Sequence, residues 1–167
     1  MTFPSSRLFL IICCCFVVKI LLASFLPLVN DEAYTIAVSQ EMSLSFFDHP
    51  PIGFWSALIF SELFGLQNSL IFRLPYLLFS LGTTFIIFQL GKELGGRSVG
   101  LWSALIYNTA PFYFFSGGFL IVPDGPLNLG ITLSALCIIK LHKNQPEKCN
   151  HVLIILGTSL AWSFACK

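Results

Sequence analysis

Charge is what this sequence has least of. Asp, Glu, Lys and Arg make up only 10% of its 167 residues, against about 25% in a soluble domain. That leaves too little polar surface for a water-soluble body of this size, and 56% of the chain is hydrophobic. Net charge is +1, which gives no electrostatic basis for binding nucleic acid. Strict apolar–polar alternation is also missing, which argues against a membrane barrel. The six cysteines show no zinc-site spacing. Cys13, Cys14 and Cys15 sit together in the first apolar run, Cys137 and Cys166 in later runs, and Cys149 in a basic loop. They read as small packing residues. No small-x-small cleavage site follows the first run before Asp31, so that run is expected to be an uncleaved first span rather than a signal peptide.

What the chain does have is long apolar runs, and these fix its class as an all-α integral membrane protein, since helices satisfy their own backbone in lipid. Spans are expected at about 8–29, 70–91, 98–116, 126–141 and 152–167, with outer loops at 30–69 and 117–125. Lys and Arg stay on the cytoplasmic side of membrane proteins. Arg7, Lys92, Arg97, Lys140, Lys143 and Lys148 are all placed there if Ile52 to Leu66 does not cross. That segment is too short to span comfortably and carries Glu62, so a juxtamembrane or partly inserted outer helix is expected. Six of the eight acids then share the non-cytoplasmic side: Asp31, Glu32, Glu41, Asp48, Glu62 and Asp124.

Three short stretches could carry chemistry. Asn30-Asp31-Glu32 looks like a helix start, with Asn30 as cap and both acids in the first turn, where the dipole favours them. Adjacent helical residues point about 100° apart, so one acid can face a site while the other braces the loop. Asp48-His49-Pro50-Pro51 is a rigid turn. Its Asp and His could bind a divalent cation, or His49 could donate to a phosphate; taken alone, a plain turn is the simpler reading. Pro123-Asp124-Gly125-Pro126 is a turn that leads into a helix. Lys19 sits in mid-span, about 18 Å below Asp31 if the helix is continuous. A charge at that depth is costly, so it should face other helices.

Taken in order, "DEAYTIAVSQEM" after the first span, "FDHPPIGFWSAL", "FRLPYLLFSL", "PDGPL" and the terminal "LAWSFACK" resemble the dolichyl-phosphate-mannose protein mannosyltransferase superfamily. The nearest branch looks bacterial, similar to the aminoarabinose lipid A transferases and the RgtA/B/C/D-like glycosyltransferases. This resemblance implies a GT-C-type helix bundle that moves a sugar from a polyprenyl-phosphate donor to an acceptor hydroxyl of a lipid, glycan or protein. Transfer would take place on the non-cytoplasmic face, in the periplasm of a bacterial inner membrane, as part of cell-envelope glycan assembly. It also implies a catalytic set of Asp31, Glu32 and Asp124, with Glu32 turned aside. His49, where the lipid A branch has a Lys, and Arg73 become the candidate phosphate contacts. Asp48 becomes the candidate ligand for a divalent metal ion. Full members of the superfamily are about three times longer, so the chain is expected to correspond to the N-terminal portion of such an enzyme and to lack activity by itself.

The chemistry suits those residue types. A carboxylate can take the proton from an attacking hydroxyl. The leaving lipid phosphate is already a good anion and needs cationic or donor groups rather than a general acid. Two other readings compete. One is a small transporter or channel with Lys19 and Glu62 as pathway charges; the other is a non-catalytic membrane subunit.

Overall fold

The computed structural model describes residues 5–41, 43–47, 49–65, 67–143 and 150–167. Asp48, Lys148 and Cys149 lie outside the described residues. What is described is an all-α membrane helix bundle: α1 (Ser5–Phe25), α2 (Asn30–Ser39), α3 (Ile52–Phe64), α4 (Ser69–Thr109), α5 (Pro111–Phe115), α6 (Asp124–Lys143) and α7 (Asn150–Phe164). No strand occurs among the described residues. Three helices, α1, α4 and α6, are long and apolar enough to cross a membrane. α3, with 13 residues, and α7, with 15, are shorter.

The first helix stops at Phe25, not near residue 29. Pro27 accounts for this, because it disfavours helical backbone in the residue before it and has no N–H to continue the ladder. Lys19 lies about 9 Å before that end, and the depth expected from a helix continuous to Asp31 does not apply. Asn30 is also not a cap. The cap position is Val29, and its N–H is taken by the Glu32 side chain at 3.0 Å. Further on, the run expected at 98–116 is broken at Ala110, whose extended backbone precedes Pro111. The short α5 follows.

α4 is two helices joined by a hairpin. Gly95 and Gly96 leave the helical region, and Gly96 has φ +84°, a conformation that a side chain would strain. The second arm returns along the first so closely that a Cβ on Gly100 would lie 2.5 Å from the Phe88 carbonyl oxygen. Small residues at such crossings let backbones approach where lipid supplies no hydrophobic drive between helices.

Around Lys19 the space between the two arms and α1 is polar. Lys19 is fully buried there. Its ammonium donates to Ser80 Oγ at 3.1 Å and Asn108 Oδ1 at 2.8 Å, beneath the rings of Phe16, Tyr107 and Phe114. Asn108 donates in turn to Thr84. No carboxylate pairs with Lys19 among the described residues, and Glu62 is exposed on α3. The two charges of the transporter reading are thus not joined.

The two ends of the bundle differ. At one, Lys143 closes the last turn of α6 onto Glu93 beside the Gly95–Gly96 hairpin, with Nζ 3.0 Å from the carboxylate. Lys143's hydrogen bond and charge hold the Glu93 carboxyl below its ordinary range. This contact is present above the ordinary carboxylate pKa and is lost as pH falls through the lowered one. Asp124 opens α6 at the other end, about 30 Å away along a 20-residue helix.

Candidate active site

Four parts of the chain meet at the Asp124 end, and one buried ion pair ties them together. Arg73, in the second turn of α4, and Glu32, in the first turn of α2, are both 0% exposed. Arg73 Nε donates to Glu32 Oε1 at 2.8 Å, and Nη2 donates to Oε2 at 2.5 Å. Its remaining N–H groups go to the carbonyls of Ala23, Leu26 and Pro27 at 2.8–3.0 Å. The guanidinium has five N–H donors, and all five are used. Glu32 also accepts from the backbone N–H of Ile121 at 3.1 Å. The ion pair thereby fixes the start of α2, the end of α1, the first turns of α4 and the loop that leads into Asp124.

That frame rests on a packed apolar floor. Ala57, Phe72, Tyr76 and Ile121 are buried together, and Ala23, Leu77 and Phe119 form the adjoining cluster. Tyr76 donates to the Gly53 carbonyl at 2.6 Å, tying α3 to α4. Trp55 donates to the Ser43 carbonyl at 2.9 Å, and Phe46 stacks on Phe54. Those contacts bring the segment before His49 down onto α3.

Above the floor is a cavity of about 530 Å³ whose lining includes Asp31, His49, Tyr76, Asp124 and Lys167. Asp31 follows Asn30 on the exposed side of α2, while Glu32, one position on, turns into the protein. Asp124 stands at the N-terminus of α6, where the helix dipole favours a carboxylate. Ser116 Oγ donates to its Oδ2 at 2.5 Å, and Lys167 Nζ lies 3.2 Å from Oδ1. Two carboxylates, an imidazole and an ammonium therefore share one opening.

Of the residues singled out in the sequence, Asp31, His49 and Asp124 line this cavity together. Glu32 and Arg73 do not face it. Arg73 has no N–H left for a phosphate, and what it does is hold the frame. Asp48 is not among the described residues. No group of three or more His, Cys, Asp or Glu that could hold a metal ion occurs among the described residues.

Lys167 was not in the candidate set. Its signal was a Lys directly after the last apolar run, on the side where the expected topology otherwise gathers acids.

These features define an all-α membrane protein with an acid-lined cavity at one end of its bundle. The chain belongs to the dolichyl-phosphate-mannose-protein mannosyltransferase family, whose model matches residues 48–167, well over half of the chain. It is thus a glycosyltransferase by family. The matched stretch includes His49, Arg73, Asp124 and Lys167; Asp31 and Glu32 precede it. No curated protein and no solved structure matches the chain.

Proposed function

We propose that the enzyme to which this chain belongs transfers a sugar from a polyprenyl-phosphate donor to an acceptor hydroxyl at the cavity lined by Asp31, Asp124 and Lys167. The observation that carries this reading is the convergence of an exposed carboxylate and a cation in one opening. In the proposed reaction the acceptor oxygen attacks the anomeric carbon and its proton passes to the Asp31 carboxylate. The bond between the anomeric carbon and the phosphate oxygen breaks. Its electron pair leaves with the lipid phosphate. Lys167 and the His49 imidazole N–H stabilise the charge that gathers there. Asp124, held by Ser116, keeps Lys167 in place and orients the acceptor.

The proposed face is the non-cytoplasmic one, that of a bacterial inner membrane. The support is that the cavity lies at the end of the bundle away from Lys92, Arg97 and Lys143. The proposed product is an envelope glycan, glycolipid or glycosylated protein.

The test is a transfer assay. Membranes from cells carrying the native gene are incubated with a labelled polyprenyl-phosphate hexose or pentose. Labelled acceptor and free polyprenyl phosphate should appear in equal amounts, and both should be lost on deleting the gene. If transfer is the same with and without the gene for every donor tried, the proposal is contradicted.

A further inference from the structure

A second cavity, of about 670 Å³, lies between α1 and α4, at the far end of the bundle from Asp31 and Asp124. Its walls are almost wholly apolar. Phe9, Ile12 and Phe16 come from α1, and Leu81, Phe85 and Phe88 from α4. Leu8, Leu101 and Ala104 are buried behind it, so its back wall is well packed. Phe9 and Phe85 are about 60% exposed, so the slot opens to the surroundings of the bundle. From Ser6 to Phe16 the slot follows α1 for about 15 Å.

Its mouth has the opposite character. Ser6, in the first turn of α1, and Arg97, just past the Gly95–Gly96 hairpin, are its polar end. Arg97 is exposed and makes no ion pair among the described residues. The nearby acid, Glu93, is already engaged by Lys143. The first-turn N–H groups of α1 carry the positive end of the helix dipole. Arg7 and Lys92 add positive charge at the same end.

An apolar slot of acyl-chain length that ends in a guanidinium with no ion pair among the described residues matches an anionic lipid end to end. We propose that this groove holds one acyl chain of an anionic phospholipid of the leaflet bordering the basic hairpin, with its phosphate on Arg97 and the α1 N-terminus. Charge complementarity favours this occupant over a protein segment, because a phosphate neutralises Arg97 at headgroup depth. The proposal does not depend on the transferase reading.

Native mass spectrometry of the full chain, taken from nanodiscs of equal phosphatidylglycerol and phosphatidylcholine, tests it. The wild-type protein should retain one phosphatidylglycerol in preference to phosphatidylcholine. Arg97→Gln, at an exposed position, should reduce that preference about fivefold, the worth of one basic residue at an anionic surface. Cys13→Trp, which fills the slot from an exposed position, should abolish retention of both lipids with the helix content unchanged. Equal retention of the two lipids, or retention unaffected by both substitutions, would overturn the proposal. So would displacement of phosphatidylglycerol by polyprenyl phosphate, or a protein dimer that persists with no lipid bound.

Discussion

Glu32 and Arg73 form a closed buried unit in which the guanidinium spends all five N–H groups and the carboxylate also takes the N–H of Val29 and of Ile121. Charges taken out of water are costly unless their partners are complete. Here they are complete, and those partners belong to four different parts of the chain. The unit therefore sets where Asp31 and the loop before Asp124 stand relative to each other.

Breaking the unit should unfold this end of the bundle. Glu32→Gln or Arg73→Met leaves one buried charge without its partner, which costs about 3–5 kcal/mol. The double change removes both charges and should be less damaging than either single one. The midpoint of detergent-induced unfolding, followed by circular dichroism, reads this order. If Arg73 instead served a substrate phosphate, Arg73→Met would keep the midpoint and raise only the KM for donor.

Lys167 should behave in the opposite way. Its pair with Asp124 is exposed on one side, and such pairs contribute at most about 1 kcal/mol. Lys167→Met should therefore leave the unfolding midpoint almost unchanged. Loss of a preorganised cation at a developing charge is worth about 10²- to 10³-fold in turnover, so transfer should fall by that order. Unchanged transfer in Lys167→Met membranes would remove Lys167 from the phosphate.

Topology gives a third expectation, from the separation of acids and basic residues to opposite ends. In a background with all native cysteines replaced, Gln40→Cys should react with a membrane-impermeant thiol reagent added from outside, and Ser98→Cys should not. The reverse pattern would place the cavity on the cytoplasmic side.

The class of fold was legible because lipid leaves few options. Once charge is scarce and apolar runs are long, helices follow, and the runs from residue 70 onward fall on α4, α6 and α7, although the one expected at 98–116 leaves the helix after Thr109. Breaks inside those runs were harder to see. Pro27 and Pro111 end helices that hydropathy alone carries through, and the hairpin in α4 depends on two adjacent glycines that composition does not distinguish from any other pair.

Site geometry was only partly legible. Adjacent positions in a helical turn point about 100° apart, which is why Asp31 and Glu32 have different surroundings. Arg73 was a different problem. Its partners are three carbonyls between Ala23 and Pro27 and a carboxylate 41 residues away in sequence. No local pattern marks backbone carbonyls as ligands, so a buried structural arginine and a phosphate-binding one look alike in the sequence.

The central claim is that Asp31 takes the proton from the acceptor. Asp31→Asn keeps the size and hydrogen bonding of an exposed side chain and removes the base. Introduced into the native gene and assayed in membranes for transfer from a labelled polyprenyl-phosphate sugar, it should lower turnover by about 10²- to 10⁴-fold, with the amount and unfolding midpoint of the protein unchanged. Wild-type turnover by Asp31→Asn would contradict the claim.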